Sequence, residues 1–572
     1  MTEMPPPKSV VVMPPVMLAV LAVFLSLAWL IPNHTRPWLA FYSDAIAGIV
    51  LLAVAMWVLV RSPGKLELVG FGLFFMLLAA VPWLQFAGGI IYSSGTAWIN
   101  SLYLLGFALA IFAGWHWEKS TPGQCLDFLF LAIIIGAAVS VGMQLMQWFQ
   151  LSVGGQWVIG AGKGRFYANM AQPNQLATLL LMGVVGVAWG YVRKTLGAAL
   201  AIALIVYLLF GVVLTESRTA WLNVIVILVG LYFFWGESRP KRFNLALLGF
   251  GVYFFALSFS LPAINDWLFG EAAVHRQLAD PIRLAMWKSL VPVLLDRPWF
   301  GYGWGQITEA VFAARDFPVT DGMTKHSHNL VLDLLLYNGL VLGGLILLVL
   351  AGTFRRFVAN LRQGNFILPL LAVGVVLVHA MLELPLHYAY FSLPCGMMLG
   401  VLLLRAKAKG YLVCRKWIGL GVVLVVVCSV WVTITDCLEV ERTYYNVYFG
   451  RKGKAVPPDM QPDLMVLTQW GERLAFANAI PGRGLSPKSY AWMNGVLSAT
   501  PETFLMFQLA QNLALNGRPE EAKEWLGRIC IMAPSGIILD LAEQWKAAKE
   551  ANDFYSIVDW KPCLHRPVAA KR

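Results

Sequence analysis

His326, Ser327, His328 and Asn329 form the segment of this chain best suited to moving a proton, and Asp333 follows four residues after Asn329. An imidazole with an ordinary pKa of about 6.5 takes a proton from a hydroxyl near neutral pH, an assistance worth roughly 10² to 10⁴ in rate. Ser327 is placed to cap a helix opening here, which sets Asn329 and Asp333 on one face of that helix. A capping turn with two incidental histidines is the simpler alternative. Two histidines without a nearby third ligand make a poor zinc site, and no paired acidic motif offers a place for magnesium. The expected chemistry therefore uses no metal and no cofactor.

Arg165, Arg218 and Arg283 come from three separate segments. A guanidinium stays charged at any working pH and matches phosphate oxygens with a planar fork, so together the three suit a diphosphate. Singly, each also fits a plainer role: Arg218 as an interfacial anchor, Arg165 as a loop charge, Arg283 as a helix-face charge. Glu383 lies between His379 and His387.

The elements that must position these residues are membrane helices. A chain with 59% apolar and 13% charged residues is not a soluble protein. Apolar runs long enough to span fall near 14–31, 38–60, 66–87, 97–115, 125–149, 175–192, 195–214, 219–235, 243–263, 329–350, 366–382, 386–404 and 417–436. The fold class is all-α: a polytopic membrane protein with about 13 transmembrane helices and a C-terminal helical domain. With Lys8 inside, seventeen basic residues fall in alternate inside loops, against Arg36, Lys163, Arg165 and Arg218 in the short outside ones. This bias places the N-terminus in the cytoplasm and, after an odd number of spans, the C-terminus outside. It also accounts for most of the formal charge of +12, so the partner it implies is the bilayer and not nucleic acid. The first run lacks a small-residue cleavage site and reads as an anchor.

Three parts follow: N-terminal transmembrane helices over 1–160, a core over 161–436 with a large outside loop at 264–328, and a soluble helical domain over 437–572. Within the loop, Asp280-Pro281 opens a helix that ends before Asp296-Arg297-Pro298, with Arg283 and Trp287 on one face. GYGWGQ at 301–306 is a turn beside aromatics. In the tail, residues 510–534 read as a helix pair broken at Asn516-Gly517, like one tetratricopeptide-type repeat. Cys437, Cys530 and Cys563 lie outside; the expectation is isolated small apolar residues, with a disulfide between two of them as the alternative.

The ionisable residues associated with the spans cluster at their outer ends: Glu216 and Arg218, His326, His328 and Asp333, and His379, Glu383 and His387. A transporter more often carries such groups at mid-membrane on broken helices. The distribution suits a lipid-linked substrate meeting a water-borne partner at the outer boundary.

Several segments together resemble the O-antigen ligase and polymerase superfamily of bacterial inner-membrane glycosyltransferases, the Wzy_C type. They are GRFYANMAQPNQLATLLL (164–181), LTESRTAWL (214–222), DPIRLAMWKSL (280–290), GYGWG (301–305) and HSHNLVLDLLLYNGL (326–340), in the family's order. ELPLHYAYFSLP (383–394) and the soluble tail most resemble the PglL branch, the pilin-glycosylation O-oligosaccharyltransferases. The resemblance implies en bloc transfer of a glycan from undecaprenyl diphosphate to a Ser or Thr hydroxyl of a periplasmic, pilin-like protein. It implies Arg165, Arg218 and Arg283 on the diphosphate, and His328, or else His326, as the catalytic histidine, with inversion at the anomeric carbon. Glu383, Asn329 and Asp333 take orienting roles. It also places the protein in the inner membrane with a periplasmic tail. The competing readings are a ligase or polymerase with a glycan acceptor, and a flippase.

Overall fold

The computed structural model describes residues 12–62, 64–160, 164–235, 242–270, 281–314, 317, 326–361, 366–450 and 462–560. Lys8, Lys163, Arg239, Lys241, Asp280, Arg362 and Cys563, on which sequence expectations rest, lie outside the described residues.

A chain in hydrocarbon must satisfy its backbone within each segment, and helices do so. Each of the thirteen apolar runs is helical over most of its length: α1 (Pro15–Leu30), α2 (Phe41–Arg61), the pair α3 (Gly70–Leu78) and α4 (Val81–Ala87), α5 (Ser94–Ser120), α6 (Gln124–Trp148), α7 (Pro173–Val192), α8 (Ala198–Leu214), α9 (Arg218–Phe234) and α10 (Phe243–Phe269). After α11 (Pro281–Val293) and α12 (Ile307–Ala313), both in the large loop, come α13 (Leu330–Ala359), α14 (Ile367–Ala380), α15 (Ala389–Arg405) and α16 (Lys416–Gly450). Among the described residues, eight spans qualify by length and composition as membrane crossings and five shorter apolar helices accompany them. The C-terminal tail adds α17 (Thr468–Asn478), α18 (Pro487–Ala499), α19 (Thr503–Leu515), α20 (Pro519–Met532), α21 (Ser535–Ala551) and α22 (Asp553–Ser556). The helix pair expected at 510–534 is the end of α19 and all of α20, with Gly517 at φ 70° in the turn between them.

The run at 66–87 needs one correction. Its first residues form strand β1 (Lys65–Val69), antiparallel to β2 (Gly410–Arg415), with Glu67 opposite Val413. Lys65-Leu66-Glu67-Leu68 alternates polar and apolar residues, the period of a strand and not of a helix. Lys119 pairs with Glu67 at 2.8 Å, and the His116 ring contacts the Glu67 carbonyl, so α5 braces the ribbon.

Two compact units divide the chain. One comprises Met1–Leu78, Tyr103–His275 and Val349–Trp431; the other comprises Ala79–Leu102, Arg276–Leu348 and Val432–Arg572. In the first, α7 is the central helix, buried along most of its length and packed on α6, α8, α9 and α14. Helices in lipid gain little from the hydrophobic effect and associate through close packing of small residues. Gly183 illustrates this, since a Cβ there would lie 2.9 Å from the Ala137 Cβ on α6.

In the second unit, the tail is tied to the loop segments. Thr468 Oγ1 meets Ser93 Oγ at 2.9 Å and accepts the Gly95 N–H at 3.1 Å. The ring of Phe312, in α12, meets the edge of Trp525, in α20, and the Arg528 guanidinium lies over both rings. Cys530 is disulfide-bonded and Cys437 is a buried free thiol. The expectation of isolated cysteines is thus corrected at Cys530.

Candidate functional site

Arg165, Arg218 and Glu383 belong to the first unit; Arg283, His326, His328, Asn329 and Asp333 belong to the second.

In the first unit the segment 164–172 runs non-helically into α7, held by amide side chains projecting from apolar helices. Gln144 Nε2 donates to the Phe166 carbonyl at 3.0 Å, while Gln147 donates to the Ala168 carbonyl and accepts from the Tyr167 and Ala168 N–H groups. Asn169 Nδ2 donates to the carbonyls of Leu30 and Trp157. Ala168 and Ala171 sit at φ 51° and 56°, the left-handed region that a side chain with a Cβ resists at a cost of about 1 kcal/mol or more. The braces hold that strain.

Arg165 is fixed by this arrangement. Its Nε donates to the Thr215 carbonyl at 2.8 Å and its Nη2 to Asn174 Oδ1 at 2.6 Å. Thr215 leads through Glu216, also left-handed at φ 46°, to Ser217, whose hydroxyl caps α9 by accepting the Ala220 N–H. Arg218 is the first residue of α9. A helix N-terminus carries partial positive charge, and an arginine there adds to it. The structure therefore links Arg165 to the turn that presents Arg218.

Buried Glu383 accepts from Gln172 Nε2 and Asn174 Nδ2, each at 3.1 Å. Further along α7, Gln175 accepts from the Tyr390 hydroxyl at 2.7 Å and Thr178 meets the His379 ring at 2.8 Å. Asp44 accepts the Tyr103 hydroxyl and the Ala389 N–H, each at 2.6 Å, anchoring the start of α15.

In the second unit α11 is the helix expected from Pro281 onward; it ends at Val293 and carries Arg283 and, one turn later, Trp287. Trp287 Nε1 donates to the Ser327 carbonyl at 2.8 Å, and Asp333 Oδ1 accepts the Ser327 N–H at 2.8 Å. Both backbone groups of the residue between the two histidines are thereby fixed. Ser327 is not the cap of α13, as its type suggested. Asn329 is, accepting the Leu332 N–H at 3.1 Å, while Ser327 Oγ donates to the Asn329 carbonyl. The reason is register: α13 opens at Leu330, and a cap sits immediately before the helix.

His328 stands at φ 57°, a left-handed conformation that few residues other than glycine adopt. Such strain concentrates at functional positions. His326 lies 3.3 Å through its Nδ1 from the hydroxyl of Tyr337, which is buried and stacked on Trp304. The GYGWG turn runs beside α13, with Tyr302 N–H donating to the Leu336 carbonyl and Gln85 Nε2 donating to the Tyr337 carbonyl. A break in α13 at Gly339, φ 72°, permits the approach; a Cβ there would lie 2.6 Å from the Pro298 carbonyl oxygen.

The sequence reading missed the braces Gln144, Gln147, Asn169, Gln172 and Asn174. One signal was available: Gln144 and Gln147 are amides three residues apart at the end of an otherwise apolar run, so both lie on one helix face.

Three family models match this chain: O-antigen ligase over residues 203–349, virulence factor membrane-bound polymerase (C-terminal) over 367–534, and protein glycosylation ligase over 167–189. Over these segments the chain is similar to the O-antigen ligase and protein glycosylation ligase families. Within the O-antigen ligase match lie Arg218, Arg283, both histidines, Asn329 and Asp333; the glycosylation ligase match contains Gln172, Asn174 and Gln175. Among curated relatives, a general O-oligosaccharyltransferase of Acinetobacter baylyi (strain ATCC 33305 / BD413 / ADP1) is 28% identical over 536 residues, covering 90% of this chain and 92% of the relative. A ComP-specific O-oligosaccharyltransferase of the same organism is 25% identical over 383 residues, covering 66% and 69%.

Proposed function

We propose that this chain is a membrane O-oligosaccharyltransferase, a glycosyltransferase that moves a preassembled glycan en bloc from undecaprenyl diphosphate to a Ser or Thr hydroxyl of a periplasmic protein such as a pilin. The observation that carries the reading is the end-to-end similarity to a general O-oligosaccharyltransferase, which includes the soluble tail as well as the membrane helices. The protein lies in the bacterial inner membrane with its N-terminus cytoplasmic and its tail periplasmic. The Cys530 disulfide supports that placement, because disulfides persist in oxidising compartments.

In this mechanism the acceptor oxygen attacks the anomeric carbon, the bond from that carbon to the diphosphate oxygen breaks, and undecaprenyl diphosphate departs. Attack opposite the leaving group inverts the carbon. His328 takes the hydroxyl proton, and the fixed Ser327 peptide sets where its ring begins. Arg218, Arg165 and Arg283 neutralise the diphosphate as negative charge grows on it, the stabilisation that a preorganised donor supplies most effectively. Glu383, Asn329 and Asp333 orient these groups. The donor is already activated, and no phosphate-binding GxxxxGK[ST] loop occurs in the sequence.

A second reading, transfer to a glycan acceptor, is favoured by the O-antigen ligase and polymerase matches. Purified protein incubated with a polyprenyl-diphosphate glycan and either a pilin-like protein or a glycan acceptor separates the two. A mass increase of one whole glycan on the protein acceptor is the expected outcome. Transfer to the glycan acceptor alone refutes the first reading.

A further inference from the structure

We infer that Asn174 is a positioning residue for donor recognition: it sets the orientation of the Arg165 guanidinium by spanning it and the Glu383 carboxylate with a single amide. The inference rests on the reading of Arg165 as a diphosphate-binding residue.

A primary amide has one end that only accepts and one that only donates. Here the Oδ1 end accepts from Arg165 Nη2 at 2.6 Å, and the Nδ2 end donates to Glu383 Oε1 at 3.1 Å. Glu383 also receives Gln172 Nε2, so the carboxylate fixes two amides at the entry to α7. The other anchor of Arg165 is the Thr215 carbonyl, which holds Nε at 2.8 Å. The Nε–Nη2 edge of the guanidinium is thus gripped at two points, which fixes its plane. Pro173 begins α7 one residue before Asn174 and pre-sets the backbone from which the amide projects. Guanidinium recognition of phosphate depends on this planar geometry, so holding the plane in advance lowers the ordering cost at binding.

Four variants test the assignment: N174A, N174D, E383Q and N174D/E383Q. N174A removes both contacts; kcat/KM for the lipid-linked donor should fall about tenfold while KM for the acceptor protein stays unchanged. N174D keeps an acceptor for Arg165 but sets a second carboxylate against Glu383, and should lose at least as much. The double variant reverses the polarity of that contact, with the new carboxamide donating to the new carboxylate, and should recover to within about threefold of the parent. Binding of undecaprenyl diphosphate, followed by thermal stabilisation of the full chain in detergent, should follow the same order. Failure of E383Q to rescue N174D, or equal loss in donor and acceptor KM, overturns the positioning role. An unmodified chain that transfers nothing but binds the diphosphate, with the same order among variants, sinks the transferase reading and leaves the role of Asn174 standing.

Discussion

Asp333 offers a direct test of how the histidine turn is held. Its carboxyl is 1% exposed and accepts the Ser327 N–H at 2.8 Å, one residue before the left-handed His328. D333A leaves that buried N–H without its acceptor, a loss of about 1.5–3 kcal/mol. The strain at His328, about 1–3 kcal/mol, then has less to oppose it. If the turn leaves its position to the extent that its anchor weakens, a 2 kcal/mol loss lowers the competent population about 30-fold. D333A should therefore reduce kcat by about 10- to 150-fold with little change in donor KM. D333N retains an acceptor oxygen and a neutral bond, so its loss should be only about threefold. The assay is transfer of a defined polyprenyl-diphosphate glycan to an acceptor protein, read by intact mass, with equal detergent-extracted yield as the check on folding. A D333A enzyme as fast as the parent, or a D333N enzyme slower than D333A, refutes the argument.

Other expectations follow from the same contacts. H328N keeps a residue that tolerates the left-handed region but has no base, and should cost at least about 10²-fold in turnover, with H326A milder; the reverse order would transfer the catalytic assignment to His326. R218K and R283K keep charge but lose the planar fork, and large losses in kcat/KM are expected for both; normal kinetics in both would remove bidentate diphosphate binding. In the tail, burial raises the pKa of Glu472, whose Oε2 is enclosed without a hydrogen-bond partner among the described residues. A carboxyl whose folded pKa is raised destabilises the fold once pH exceeds its unfolded value, and the penalty is complete above the folded value. E472Q should raise the thermal midpoint by about 1–3 °C at pH 8, with the gain shrinking toward pH 4; a pH-independent gain would contradict the cause.

The sequence was most informative where the physics is local. An apolar run of about 20 residues must be mainly helical in lipid, so most of each run was readable without any knowledge of its neighbours. The helix from Pro281 and the pair split at Asn516-Gly517 were readable because a cap, a proline or a turn glycine acts within a few residues. The same local reasoning failed at residues 65–69, where an apolar run hid a strand period, and at Ser327, where a good capping residue lay two positions too early.

What the sequence determined alone is the inventory: membrane helices, a long loop, a helical tail, and arginines and histidines at span ends. Tertiary structure decided which groups hold them. Gln147 braces a loop 21 residues away, Asn174 reaches Glu383 across 209 residues, and the two units cut across chain order. A hydrogen bond selects its partner by distance and direction in space, and neither quantity is written in the spacing of residues along the chain.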